Sequence, residues 1–342
     1  MVEEFGVAPI VREVADPVPP EAGVVVRVEA SGLCRSDWHA WMGHDPTITL
    51  PHVPGHELAG TVEAVGADVR HARVGDRVTV PFVCACGTCA ACRAGDHQVC
   101  ERQTQPGFTG WGSYAELVAL DHADVNLVPL PDDLDAVSAA ALGCRFATAF
   151  RAVVHQGRTR PGAWLAVHGC GGVGLSAVMV AVAAGARVVA VDVSAEALTL
   201  AARFGAEVCV DASEGDPAGA VREASGGGVA VSLDAFGSHR TAAASVRSLA
   251  RRGRHVQVGL LPPELGHPPM PMARVIAHEL ELVGSHGMPA HHYPEMLALV
   301  GSGRLCPDLL VTREITLEEA AVALPAMSHP AASAGITVIR PG

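Results

Sequence analysis

The spacing of apolar and polar positions changes partway along the chain. Val24–Ala30 reads VVVRVEA, Gly60–Val65 and Arg77–Phe82 read similarly, and Gly or Pro punctuates these runs at short intervals. That pattern predicts short strands of an antiparallel, barrel-like β domain. From about Leu142 the texture differs. Trp164–Val167, Arg187–Asp192, Val208–Val210, Val229–Asp234 and His255–Gly259 are short apolar runs, separated by Ala-rich stretches such as Leu175–Ala184 and Ala195–Phe204. Strands alternating with helices of this length predict a parallel, doubly wound sheet. Past Gly287 come a helical run, Tyr293–Gly301, then Leu309–Thr316 and a final strand at Gly335–Arg340. The segment 161–186 carries no Arg, Asp or Glu, but it contains His168 and six glycines, which suits a buried turn better than a membrane span.

Composition narrows the function. A chain of 342 residues with 49% hydrophobic and 18% charged positions suits two globular domains, each with its own core. The net charge of -12 repels phosphate backbones and anionic lipid, which argues against nucleic-acid and membrane partners. All 24 Lys and Arg positions are arginine. Schiff-base and lysine general-base chemistry are therefore excluded, as is a P-loop. The first residues carry early acids and no apolar core of a signal peptide, so the chain reads as a soluble cytoplasmic protein.

Two kinds of site stand out. Trp164–Val167 runs into Gly169-Cys170-Gly171-Gly172-Val173-Gly174 and then into a helical stretch, giving G-x-G-x-x-G in a strand-turn-helix context. There the glycines allow a tight turn, approach of backbone to a pyrophosphate, and packing of helix on strand. Asp192 ends the next strand a little over twenty residues on, and no basic residue follows it until Arg203. A carboxylate there accepts from ribose hydroxyls and repels a 2′-phosphate, which favours NAD over NADP.

The second kind is metal-binding. Five of the ten cysteines crowd into residues 84–100, and Cys86, Cys89, Cys92 and Cys100 form C-x2-C-x2-C-x7-C. Four thiolates at that spacing close a tetrahedron around a structural zinc ion, with an iron–sulfur cluster as the competing reading. Cys34, His56 and Cys144 lie far apart in sequence. Taken singly they read as buried thiols and a core imidazole; together they form a three-ligand zinc site with one open position.

On these motifs the chain resembles the zinc-dependent medium-chain alcohol dehydrogenases over essentially its full length. The run Gly55-His56-Glu57-x2-Gly60-x5-Gly66-x2-Val69, the four-cysteine lobe and the Gly-rich turn come in that family's order. The resemblance implies an α/β fold in which a GroES-like catalytic domain (residues 1–146, with the lobe at 84–100) precedes a Rossmann domain (147–287). Residues 288–342 then return to the catalytic domain.

The resemblance also implies roles. Cys34, His56 and Cys144 become ligands of a catalytic zinc, with Glu57 able to enter its sphere, beside a second, structural zinc. Asp37 orients His56, Ser36 bonds the substrate oxygen, and His39 ends a proton relay. Arg35 reaches the cofactor pyrophosphate, with Arg340 assisting. Thr148, Val258 and Leu260 flank the nicotinamide ring. Phe82 lines the substrate pocket, with Trp38, Trp111 and Cys170 as further neighbours. Arg145, directly after a ligand, is expected to point away from the metal or toward cofactor phosphate.

The implied reaction is hydride transfer between an alcohol and NAD, on apolar or aromatic primary or secondary alcohols, in a homodimer or homotetramer. A polyol, sugar-alcohol or formaldehyde-handling dehydrogenase is the rival within enzymes. A non-catalytic binding protein is the rival outside them.

Overall fold

The computed structural model describes residues 1–261, 266–329 and 334–342. The first sheet is built from β1 (Val24–Leu33), β2 (Leu58–Val65), β3 (Arg77–Thr79), β4 (Leu117–Leu120) and β5 (Val128–Pro129). β1 is the hub, pairing antiparallel with β2 and β4. Val24, Val26 and Val28 of β1 pack with Leu58, Val62, Val78 and Leu120 in a common core.

The second sheet holds β6 (Trp164–His168), β7 (Arg187–Asp192), β8 (Val208–Asp211), β9 (Val229–Asp234), β10 (Leu249–Gln257) and β11 (Glu281–Gly284). All its pairs are parallel, in the order β11-β10-β9-β6-β7-β8. The chain proceeds to one side from β6 and then crosses to β9 on its other side. The crevice at the carboxyl ends of β6 and β9 is therefore the switch point where doubly wound folds bind ligands. β10 begins at Leu249, six residues before the apolar run suggests, because Arg251, Arg252 and Gly253 are absorbed by a register shift with Arg252 at φ 59°.

The chain then returns to the first sheet through β12 (Val311–Thr316) and β13 (Ile336–Arg340). β13 pairs antiparallel with β1, whereas β12 and β13 pair parallel. The first sheet is thus mixed rather than purely antiparallel. The helix Leu317–Ala326 between them supplies the crossover that a parallel pair requires.

The apolar segment around residues 161–186 is β6, the Gly-rich turn and the helix Gly172–Ala183. That helix is apolar all round and buried over most of its length, as such helices must be. A second apolar helical stretch, Ala136–Gln156, is long enough to cross a membrane, yet 83% of its most apolar window is buried inside the protein. Its Phe146 and Phe150 are fully buried; truncating either to alanine should cost about 3–5 kcal/mol.

Candidate active site

β1 ends at Leu33, and the helix Arg35–Trp41 starts at once with Cys34 as its extended N-cap residue. One turn in, Asp37 is completely buried. Its carboxylate accepts from the Cys34 and Gly55 N–H groups at 3.0 Å each, from the Tyr114 hydroxyl at 2.8 Å and from His56 Nδ1 at 2.8 Å. A buried carboxylate held by four donors is fully compensated. It fixes the His56 proton on Nδ1 and turns Nε2 outward, the arrangement that prepares an imidazole to bind metal. Among the described residues, Nε2 is itself buried without a hydrogen-bond partner.

Cys144 arrives on the helical stretch that links β5 to β6. The helical stretch starting at Ala136 widens into a π turn at Leu142–Phe146, with Gly143 leaving helical geometry at φ −59°, ψ −126°. Such turns are frequent at functional sites. Gly143 is required here, since a Cβ on it would lie 2.9 Å from Glu57 Cα. The result is that one donor atom each from Cys34, His56, Glu57 and Cys144 lie within 4.8 Å of one another. Glu57 is fully buried and bonded to the Arg145 backbone N–H at 2.9 Å, to Arg145 Nε at 3.0 Å and to Arg145 Nη2.

The electrostatics suit a cation. The neighbouring Cys144 thiol lowers Cys34 against the opposing effect of burial, and Cys34 together with burial raises Cys144. At His56 burial disfavours the charged form, but the facing Asp37 carboxylate outweighs it and raises the group. Burial raises Glu57, and Arg145 pulls it back. Two sulfurs and an unpartnered imidazole nitrogen form the donor set of an open zinc site, so these residues fit the ion.

In the lobe, Cys86, Cys89, Cys92 and Cys100 bring their sulfurs within 4.8 Å of one another. Backbone N–H groups point at them: Cys86 to Cys100 at 3.3 Å, Arg102 to Cys100 at 3.4 Å, Cys92 to Cys89 at 3.5 Å and Thr88 to Cys86 at 3.5 Å. The Thr88 N–H is the main cause that draws Cys86 down to about 5. Burial and the neighbouring sulfurs push Cys92 up to about 12.

The Gly-rich turn caps β6. Gly169 has φ +92°, and a Cβ on Gly174 would lie 1.8 Å from Gly169 O, so helix and turn touch with no room for a side chain. Gly171 is open, with nothing within 4 Å of its Cβ position. Val173 follows in the first helical turn. Asp192, at the end of β7, accepts from the Cys170 N–H at 2.5 Å and the Ser194 N–H at 2.8 Å. Thr148 is buried, and among the described residues its hydroxyl has no partner. Val258 and Leu260 line a cleft of about 630 Å³ together with Ser285 and His286.

Ser36 Oγ lies 3.8 Å from Cys34 Sγ, and His39 Nδ1 lies 2.9 Å from His44 Nδ1. Phe82 meets His56 edge-on with centroids 6.3 Å apart. Trp38 stacks under the Arg35 guanidinium at 5.0 Å and donates to Ser328 Oγ at 2.9 Å.

Other expected placements differ. The Arg35 guanidinium is directed to Met327 O and the face of Trp38, and the arginine against Gly172 is Arg145. Arg340 is half exposed in an ion pair with Glu314 at 2.7 Å, because β12 and β13 lie side by side. Trp111 is 46% exposed, donates to Pro51 O at 3.1 Å, and lines a separate surface cleft with Val14 and Pro17. Cys170 is buried with its sulfur turned toward Val191 O. Of the two placements expected for Arg145, it does not take the one away from the donor set: its guanidinium is held by Glu57 and its side chain lies against Gly172. Phe108 and Tyr114 were not expected. Phe108 sits edge-on to His56 at 5.3 Å, and Tyr114 donates to Asp37. An isolated aromatic in a Gly-rich loop carries no sequence signal for that.

Comparison with known proteins agrees with this geometry. Residues 20–132 match the family "Alcohol dehydrogenase GroES-like domain", and residues 172–302 match "Zinc-binding dehydrogenase". An alcohol dehydrogenase of Geobacillus stearothermophilus is 38% identical over 83% of either chain. An NAD-dependent alcohol dehydrogenase of Saccharolobus solfataricus is 33% identical over 93% of this chain and 92% of its own. The crystal structure of the alcohol dehydrogenase from Aeropyrum pernix superposes with a TM-score of 0.88 at 32% identity, covering 99% of this chain and 98% of that one. With two α/β units of GroES-like and Rossmann type meeting at a Cys-His-Cys donor set, the chain belongs to the zinc-type medium-chain alcohol dehydrogenase family.

Proposed function

We propose that the chain transfers hydride reversibly between an alcohol and NAD, with one catalytic and one structural zinc ion. The observation that carries this reading is the buried, unpartnered Nε2 of His56 set among the donors of Cys34 and Cys144, beside a Gly-rich turn built for a dinucleotide. A zinc ion held by Cys34, His56 and Cys144 would supply a Lewis acid to the alcohol oxygen, and NAD would accept the hydride.

The chain's own residues do the rest. Ser36 Oγ, close to the Cys34 sulfur, holds the substrate hydroxyl and takes its proton. His39, against His44, is the outward end of the relay; burial keeps it below the usual imidazole range, so it is neutral and able to accept a proton near neutrality. The Thr148 hydroxyl is free for the nicotinamide. Asp192 receives ribose hydroxyls and excludes a 2′-phosphate. Phe82 and Phe108, both edge-on to His56, set apolar rings beside the donor set, which supports apolar or aromatic primary or secondary alcohols over polyols.

The lobe geometry supports a single ion over a cluster. A tetrahedron of metal–sulfur bonds of about 2.3 Å has sulfur–sulfur edges of about 3.8 Å. The sulfur pairs 89–92, 89–100 and 86–92 lie at 3.4, 3.7 and 4.0 Å. Among the described residues β11 leaves one sheet edge unpaired, which supports self-association into a homodimer or homotetramer.

The test is a panel of alcohols, polyols, aldehydes and a formaldehyde–thiol adduct, assayed with NAD and NADP separately, alongside metal analysis. Expected are turnover with NAD on apolar alcohols and two zinc ions per chain. Metal-loaded protein with no nicotinamide-linked turnover on any member overturns the reading. Turnover on polyols alone transfers it to the rival dehydrogenase class.

A further inference from the structure

We propose that Arg145 holds the anionic bridge of a bound dinucleotide with its outer donor, Nη1, while its remaining donors hold Glu57, so that cofactor occupancy and the position of Glu57 are coupled. This rests on the reading of the Gly-rich turn as a dinucleotide site.

The geometry is specific. The Arg145 side chain is 9% exposed, and its backbone N–H, Nε and Nη2 are all engaged by the two oxygens of Glu57. Nη1 makes no hydrogen bond among the described residues, and it is not one of the fully enclosed polar atoms. It lies 3.4 Å from the Cβ position of Gly172, with Arg145 Cδ at 2.5 Å. Gly172 opens the helix Gly172–Ala183, whose first N–H groups have no intrahelical partner and whose end carries partial positive charge. The one unused donor of a buried guanidinium thus faces the place where the turn would receive phosphates.

Elimination points the same way. The chain has no lysine, so a side chain that is cationic at every working pH must be an arginine. Arg35 is turned to Met327 and Trp38, and Arg340 is paired with Glu314. Linkage then requires reciprocity. A diphosphate that draws the guanidinium toward itself loosens its hold on Glu57, and loss of the Glu57 charge frees Arg145 for the diphosphate. Arg145 is in this sense a positioning residue for Glu57 and a binding residue for the cofactor.

The test measures binding rather than turnover. ADP-ribose, which carries the diphosphate bridge, and adenosine, which lacks it, are titrated calorimetrically into the zinc-loaded protein, with circular dichroism as the check of fold. Arg145→Met should weaken ADP-ribose by roughly 10- to 100-fold, the range of a hydrogen bond to a charged group, and leave adenosine unchanged. Arg145→Lys should keep part of the affinity, and Glu57→Gln should tighten ADP-ribose severalfold. If Arg145→Met does not fold, Glu57→Gln/Arg145→Met, which removes both buried charges together, replaces it. Unchanged ADP-ribose affinity in a folded variant lacking Arg145, or a parallel fall for adenosine, overturns the assignment. Unchanged affinity in Glu57→Gln overturns the coupling. A wild-type protein that binds neither ADP-ribose nor NADH overturns the functional reading beneath it, an outcome distinct from the other two.

Discussion

Asp37 Oδ1 lies 2.8 Å from His56 Nδ1, and that contact places the free nitrogen of His56 among the donors of Cys34 and Cys144. Asp37→Asn replaces the acceptor with a group that can present an N–H to the imidazole instead. Zinc affinity at the catalytic site should fall about 10- to 100-fold, read by competition with a chromophoric chelator. Unchanged affinity would show that His56 orients itself without Asp37.

Cys34→Ala removes one donor of the open site without touching the Gly-rich turn. Turnover should be abolished while NADH binding, followed by fluorescence, stays close to wild type. An active Cys34→Ala enzyme would sink the mechanism.

In the lobe, Cys86 is ionised in the metal-free chain at neutral pH, whereas Cys92, pushed up to about 12, keeps its proton until a metal displaces it. Metal uptake should therefore release protons and weaken as pH falls. Cys92→Ser should lose one of two zinc ions per chain by metal analysis and lower the thermal midpoint. A variant that keeps both metals argues against a four-sulfur site.

His168 sits at the end of β6 and is held at about 3, against 6.5 for a free imidazole, by burial and secondarily by His255. Between those values the unfolded chain binds a proton that the native chain does not. Stability is therefore fully present above 6.5 and is lost as pH falls toward 3, by about 1.4 kcal/mol per pH unit. His168→Asn should flatten this slope relative to wild type in urea titrations run from neutrality down to about pH 5. Parallel curves for the two proteins would refute it.

Asp192 accepts from the Cys170 and Ser194 N–H groups. Asp192→Ser keeps a polar group there and removes the charge. The kcat/KM ratio of NADP to NAD should rise about 10- to 100-fold, since a like-charge clash costs several kcal/mol. A ratio that does not move would place cofactor choice elsewhere.

Several features are legible in short windows because their geometry closes within a few residues. Cys86 to Cys100 span one loop, so spacing alone brings the four sulfurs into reach. The turn from Gly169 to Gly174 is legible because a tight turn between strand and helix is a local steric requirement. Cys34 and Asp37 share one helix N-terminus, which is why the capping geometry and the orientation of His56 follow the motif. Other features depend on what lies across the fold. Trp111, Phe82 and Phe108 are similar to one another as letters, yet packing turns the first to the surface and the other two to His56.

By itself the sequence determined the classes of donor, the two sheet types and the order in which sites occur, because these follow from local periodicity and from the chemistry of thiols, imidazole and glycine. The tertiary structure decided which charge meets which. Arg35, Arg145 and Arg340 are equivalent in composition, but burial of Glu57 demanded a cation beside it, and the π turn after Gly143 delivered Arg145. The parallel pairing of β12 with β13 paired Arg340 with Glu314. A buried charge must be neutralised by whatever the fold brings within reach, and that is a property of three-dimensional packing rather than of spacing along the chain.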